Sequence, residues 1–292
     1  VGAAQDPRRC LMRWLVTGAA GMLGQDLTAV LAKVGETDAV AATRADLDVT
    51  DQMAVREAVA AADVVLNAAA WTDVDGAENA EEAATAVNGH AVRHLAEAAG
   101  KRLIHFSTDY VFDGRTTFPY AEATEPAPIN AYGRGKALGE QAVLAAGGYV
   151  VRTTWLYGAH GPNFVRTMLR LAAERDTVDV VDDQQGAPTW SYALARQAVA
   201  LAGAAAAGTA APGVYHGTAG GSTTWYGLAR AVFAEAGLDP NRLRPTTSDR
   251  FRRPARRPAY SVLGHDRWAM TGVDPLPDWR PMLAAAMPAL LR

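Results

Sequence analysis

Apolar and polar positions follow two alternating rhythms through the first half of the chain. Residues 13–17 (Arg-Trp-Leu-Val-Thr) form a short apolar run that ends in glycines. Residues 39–42, 63–68 (Asp-Val-Val-Leu-Asn-Ala) and 103–107 repeat the strand-like character, and the run at 63–68 has the apolar continuity of a strand buried on both faces. Between these runs, residues 23–31 carry apolar side chains at helical spacing, 55–61 suits a helix, and 83–99 reads as one long helix. This β-α repetition predicts an α/β fold, a Rossmann-type doubly wound parallel sheet.

The rhythm changes after the middle. The alanine-rich stretch 195–211 predicts a helix that runs into a surface loop at 208–213. Prolines and arginines crowd 244–258 (RPTTSDRFRRPARRP), which suits an extended, solvent- or ligand-facing segment. The chain thus divides into a Rossmann domain at 12–157 and a smaller mixed α/β substrate-binding lobe at 158–292. Some later segments return to the first domain, and the ligand sits between the two. Residues 1–11 lack the apolar stretch of a signal peptide and are expected to form a disordered extension.

Composition narrows the function. A net charge of −3 over 292 residues argues against nucleic-acid binding, which needs a basic surface. No apolar run is long enough to span a bilayer. The single cysteine, Cys10, cannot pair within the chain, which points to a reducing compartment and a cytoplasmic location.

Gly18-Ala-Ala-Gly21-Met22-Leu23-Gly24 places GxxGxxG between the first strand and the first helix. Glycines there permit a tight turn and let the backbone approach a pyrophosphate at the helix N-terminus. The second strand ends in Thr43-Arg44 rather than an acidic residue. Arg44 can pair with a ribose 2′-phosphate, which favours NADPH and leaves NADH as the alternative. Asp48 and Val49 follow; Asp48 is positioned to meet the adenine or to cap a helix starting near Thr50.

Tyr132-Gly-Arg-Gly-Lys136 is a YxxxK pair, and residues four apart share one helix face. Lys136 and an oxidised nicotinamide would favour the phenolate and lower the tyrosine pKa. In the reducing direction the Tyr132 hydroxyl protonates a carbonyl oxygen as hydride reaches the carbon. Ser107 or Thr108, just past a strand end, supplies a hydroxyl to orient that carbonyl. The six histidines, His105 among them, are scattered and are read as structural or surface residues.

The motifs LNAAAWTDVDGAE (66–78), STDYVFDG (107–114), NAYGRGK (130–136), RTTWLYG (152–158), NFVRTML (163–169), DDQQGAPT (182–189) and GGSTTW (220–225) together resemble the dTDP-4-dehydrorhamnose reductase family. They occur in the family's order across nearly the whole chain. The resemblance implies an extended short-chain dehydrogenase/reductase that reduces the C4 ketone of dTDP-6-deoxy-L-lyxo-4-hexulose to give dTDP-L-rhamnose. A related reductase acting on another dTDP-4-keto sugar, such as the dTDP-dihydrostreptose-forming step of antibiotic biosynthesis, is the alternative. A non-catalytic dinucleotide-binding regulatory subunit is the alternative of another class, disfavoured by a complete catalytic trio.

By position, the resemblance implies Thr108, Tyr132 and Lys136 as catalytic residues. It implies Gly21, Met22, Leu23, Asp48, Val49, Ala69, Ala70, Trp71 and Thr72 as cofactor contacts, Trp71 departing from the smaller polar residue of the family. Thr108, Asp109 and Trp155 are implied to meet the sugar. Asn163 is a candidate for the diphosphate or ribose, Trp225 for stacking on thymine and Arg257 for the diphosphate. Homodimers and an interfacial divalent cation such as Mg also occur in the family. No His/Asp/Glu cluster in this sequence has the spacing to place that metal.

Overall fold

The computed structural model describes residues 12–36 and 38–291. The expectations for residues 1–11, Cys10 included, lie outside the described residues. In chain order the strands are β1 (Trp14–Thr17), β2 (Ala39–Ala42), β3 (Val64–Asn67), β4 (Leu103–Thr108), β5 (Tyr149–Thr153), β6 (Leu156–Tyr157), β7 (Val178–Val181), β8 (Gln185–Gly186), β9 (Thr189–Trp190), β10 (Gly213–His216), β11 (Thr223–Thr224) and β12 (Leu243–Thr246). The α-helices are α1 (Met22–Lys33), α2 (Gln52–Ala60), α3 (Val74–Asn79), α4 (Glu81–Thr85), α5 (Ala91–Ala99), α6 (Ala131–Ala145), α7 (Phe164–Glu174), α8 (Ser191–Ala206), α9 (Trp225–Glu235) and α10 (Trp279–Leu290).

Six strands form one parallel sheet in the order β10-β5-β4-β3-β1-β2. The chain leaves β1 for β2 on one side and returns to β3 on the other. The carboxyl ends of β1 and β3 therefore flank the crevice where such sheets bind ligands. Strand residues alternate between two apolar layers: Trp14, Val16, Val64 and Leu66 pack with α1 and α8. Leu15, Val65, Leu103 and Val150 pack instead with α2, α5 and α6. Burial on both faces explains why these strands lack polar alternation in sequence.

One local outcome differs from the sequence reading. The single helix expected over 83–99 is interrupted by a π-helical turn at Ala86–His90, between α4 and α5. Such turns often accompany functional residues, and this one carries Asn88. The later segments that join the first-half sheet are α8 and β10. Asp26 on α1 accepts a buried 2.5 Å hydrogen bond from Ser191 Oγ on α8, which fastens that return.

The smaller lobe is built from the parallel pair β7–β12 with α7, α9 and α10 around its own apolar core. Val165, Met168, Leu228, Phe233, Met282 and Leu283 fill that core. Two-residue pairings, β6 with β9 and β8 with β11, join the strand ends of the sheet to this lobe. Among the described residues no helix is long and apolar enough to cross a membrane.

Candidate active site

A cavity of about 930 Å³ lies over the carboxyl ends of the sheet, lined at one end by the glycine turn and at the other by Tyr132, Trp155 and Trp225. Each glycine of the turn has a separate job. Gly18 has a positive φ of +65°, and a Cβ there would stand 2.6 Å from the Ala69 nitrogen. The first glycine thus lets the ends of β1 and β3 close together. A Cβ on Gly24 would lie 2.2 Å from the Gly18 carbonyl oxygen, so this residue seats α1 on the turn. Gly21 faces freer space, with only the Gly18 oxygen nearby at 3.2 Å.

Gly21 is also the N-cap of α1, and no side chain caps that helix. The first N–H groups of α1, at Met22 and Leu23, are thus left for a ligand, where the helix dipole favours an anion. Arg44, Asp48, Val49, Ala69, Ala70, Trp71 and Thr72 line the same end. Asp48 does not cap α2; Asp51 does, accepting from Met53 and Ala54 nitrogens. Asp48 instead accepts from the Thr50 nitrogen at 2.9 Å and its hydroxyl at 2.7 Å, which holds its carboxyl below the ordinary range. Arg44 is exposed at the rim, near enough to Asp48 to reinforce that lowering. A wide cavity, an uncapped helix start and a rim arginine fit a phosphorylated dinucleotide.

The Trp71 backbone is held at both ends by Asn88: its nitrogen donates to Asn88 Oδ1 at 2.9 Å, and its oxygen accepts from Nδ2 at 3.0 Å. The Trp71 indole donates to the Asp73 carbonyl at 2.8 Å. Asn88 was missed in the sequence because its partner lies 17 residues away and is backbone.

Helix α6 delivers Tyr132 and Lys136. Asn130 caps it, accepting from the Gly133 nitrogen at 2.7 Å, and Asn130 Nδ2 donates to the Arg256 carbonyl at 2.8 Å. A Cβ on Gly133 would fall 2.1 Å from the Tyr110 carbonyl oxygen, and one on Gly139 2.4 Å from the Asn88 oxygen. The glycines inside this helix, unfavourable by propensity, let it lie close against the active-site loops. A fully buried ion pair, Arg152 to Glu140 at 2.7 Å, ties α6 to β5. The Lys136 ammonium donates to the Phe106 carbonyl at 2.6 Å and lies 3.2 Å from His105 Nε2. Burial pulls Lys136 down to about 8.

The tyrosine expectation changes sign in the protein alone. Burial and the neighbouring Asp109 push the Tyr132 phenol up to about 12, while the Thr108 hydroxyl works the other way. Lys136 is turned to Phe106 and His105, so desolvation outweighs it. The phenol is held protonated, the state an acid needs.

Thr108, at the end of β4, donates to Asp109 Oδ1 at 3.0 Å, and its oxygen accepts from the Tyr110 nitrogen at 3.1 Å. Ser107 also lines the cavity; its hydroxyl is buried with no hydrogen-bond partner among the described residues. Asp109 accepts from Thr154 Oγ1 at 2.9 Å, and burial pushes its carboxyl up to about 6. Tyr110 meets Tyr132 edge to face, centroids 5.9 Å apart.

At the far end Trp155 adopts a positive φ of 46° and stacks on Trp225, centroids 3.6 Å and planes 9° apart. Gly186 makes room for it: a Cβ there would lie 2.5 Å from the Trp155 ring. Two expected substrate residues have other work. Asn163 caps α7, accepting from the Arg166 nitrogen at 3.1 Å and donating to the Gly158 carbonyl at 2.9 Å. Arg257 is not among the residues lining the cavity; it makes a two-point ion pair with Asp75 at 3.0 and 2.9 Å. The carboxylate fits the guanidinium fork that a diphosphate would otherwise take. Among the described residues no group of three or more His, Cys, Asp or Glu side chains could hold a metal ion.

A dinucleotide crevice and a Thr-Tyr-Lys constellation on one parallel sheet define the class, a Rossmann-fold dehydrogenase/reductase of the extended type. The family profile described as RmlD substrate binding domain matches residues 12–291, and the chain belongs to that family. It is 52% identical over 286 residues to the dTDP-4-keto-6-deoxy-D-glucose reductase of Streptomyces niveus, covering 95% of this chain and 97% of that protein. It is likewise 52% identical over 286 residues to the dTDP-4-dehydrorhamnose reductase of Streptomyces griseus, covering 95% and 94%. Among solved structures, dTDP-4-dehydrorhamnose reductase of Bacillus anthracis str. Ames, in complex with NADP, superposes with a TM-score of 0.88 at 35% identity, covering 94% of this chain and 98% of that one.

Proposed function

We propose that this protein is an NADPH-dependent reductase of the C4 ketone of a dTDP-6-deoxy-4-keto sugar, with dTDP-6-deoxy-L-lyxo-4-hexulose as substrate and dTDP-L-rhamnose as product. The observation that carries this reading is the convergence of Thr108, Tyr132 and Lys136 on the cavity that also receives the uncapped start of α1. Arg44 at the rim favours the 2′-phosphorylated dinucleotide. Bound there, the dinucleotide supplies the hydride.

The protein's part is orientation and proton supply. Thr108 lies beside the Tyr132 phenol, and its hydroxyl, whose single hydrogen rests on Asp109 in the free protein, would turn that hydrogen to a carbonyl oxygen presented to Tyr132. The Tyr132 phenol then gives its proton to the oxygen as charge develops on it. Asp109, Trp155 and Trp225 line the part of the cavity left for the sugar and the base. The equal similarity to the S. niveus enzyme favours one second reading, the same chemistry on the 4-keto sugar of the D-gluco series. We place the protein in the cytoplasm.

The test follows NADPH absorbance with the lyxo-hexulose precursor made in situ by its dehydratase and epimerase. Rapid oxidation is expected, reduced about 10²–10⁴-fold in Tyr132→Phe with NADPH affinity kept. Oxidation only when the epimerase is omitted would overturn the rhamnose assignment in favour of the second reading.

A further inference from the structure

A row of buried polar side chains crosses the sheet beneath the catalytic helix. Thr17, Asn67 and His105 are register partners on the adjacent parallel strands β1, β3 and β4. Their side chains face α6, and all are buried. Asn67 Oδ1 accepts from Thr17 Oγ1 at 2.6 Å and from the Ala69 nitrogen at 3.2 Å. A backbone N–H can only donate, so this contact fixes which way the amide points. Asn67 Nδ2 therefore donates to His105 Nδ1, 2.9 Å away. A neutral imidazole that accepts at Nδ1 carries its hydrogen on Nε2. That N–H faces Lys136 Nζ at 3.2 Å. An ammonium has no lone pair to receive it; an amine has.

We propose that His105, locked by Asn67 as an Nε2–H donor, is a positioning residue that favours the amine form of Lys136 and so readies this lysine to return a proton to Tyr132. The inference rests on the reductase reading above. After Tyr132 has protonated the sugar oxygen, the phenolate takes a proton that originates on Lys136. One N–H bond breaks, one O–H bond forms, and the amine lone pair accepts a hydrogen bond from the His105 Nε2–H. Water in the open cavity restores the ammonium.

The other titratable groups around Lys136 do not supply this effect. Glu140, one turn on along α6, opposes it, and its carboxylate is taken by Arg152 of β5. Tyr132, one turn earlier, is protonated, and Asp109 reaches it only across Thr108. Burial keeps His105 itself uncharged, a tendency that the lysine charge reinforces.

The test reads the lysine directly. The titration of Lys136 is followed by carbon-13 NMR of its ε-carbon in the cofactor-free protein, with Lys136→Arg to assign the signal. Asn67→Asp reverses the row, because a carboxylate accepts from Nδ1–H and leaves Nε2 as an acceptor. His105→Gln offers the lysine an amide oxygen. Both variants are expected to raise the Lys136 midpoint by about one pH unit and to carry the alkaline limb of kcat upward with it. Where Asn67→Asp fails to fold, His105→Gln decides. An unchanged midpoint in a folded variant, or a uniform loss of kcat with no shift in its pH profile, overturns the proposal. A parent without reductase activity would overturn the functional reading while leaving the lysine titration to judge the row.

Discussion

The two ends of the cavity are prepared to different degrees. At the end proposed for the dinucleotide, Gly18, Gly24, Asn67 and Asn88 hold the backbone through contacts that leave little slack. At the end proposed for the sugar and base, an internal contact occupies what a substrate would use: Trp155 lies on Trp225. Trp155 also sits in a backbone region that non-glycine residues enter at a cost of about 1–3 kcal/mol. Binding therefore asks little rearrangement of one end and competes with existing contacts at the other.

The largest effect should come from attacking the rigid end. Gly24→Ala pushes a methyl against the Gly18 carbonyl, and backbone cannot step aside as a flexible side chain can. Overpacking of this kind costs about 1–3 kcal/mol. Thermal melts and NADPH fluorescence titration should show lower stability together with at least tenfold weaker cofactor binding. A variant that binds NADPH normally would mean that the turn is less rigid than its contacts imply.

A smaller effect is expected between the two ends, at Asp109. Its folded carboxyl titrates at about 6, against roughly 3.9 in an unfolded chain. Between those values the folded state holds a proton that the unfolded state releases. The group's contribution to stability is thus full below about pH 4 and is lost as pH rises to about 6. Asp109→Asn lacks that slope. Its stability should gain on the parent by on the order of 2 kcal/mol across the window, read as denaturant midpoints from pH 4 to pH 7. Parallel curves for the two proteins would place the Asp109 carboxyl in a wetter setting than its burial implies.

The smallest effect belongs to the adaptable end. Trp225→Ala removes the ring proposed to stack on thymine, and an aromatic pair of that kind contributes about 0.5–1.5 kcal/mol. The KM for the sugar nucleotide should rise about 3–10-fold while that for NADPH stays unchanged. A matching rise in the NADPH KM would show that the two ends are coupled rather than separate.

How much of this could be read from sequence depends on the range of each signal. Strands β1, β3 and β4 were legible because burial on both faces leaves continuous apolar runs, and the glycine turn and YxxxK pair because their spacing is local. The π turn at Ala86–His90 left no mark, since its side chains suit an α-helix equally well. Strand β10 was hidden behind the alanine-rich α8, and the two-residue strands β6, β8, β9 and β11 are too short for any periodicity. His105 illustrates the deeper limit. Its bond to Asn67 arises from strand register, and its approach to Lys136 from helix packing, neither of which a linear spacing encodes. Arg257 and Asn163 show the converse: residues of suitable type already taken, Arg257 by Asp75 from far along the chain and Asn163 by the start of the adjoining α7, which it caps.

The late arrival of β10 has a consequence for the growing chain. Until residues 213–216 emerge from the ribosome, the edge of β5 carries a row of unpaired backbone groups on a sheet whose other strands are complete. An open, apolar edge of that kind is a template for pairing with another chain. The nascent protein is thus most exposed to aggregation in the interval between translation of β5 and of β10, and a fragment ending at residue 157 would remain in that state. The long α8, made early enough to pack on α1 and joined to it by Ser191, shortens the search that brings β10 home.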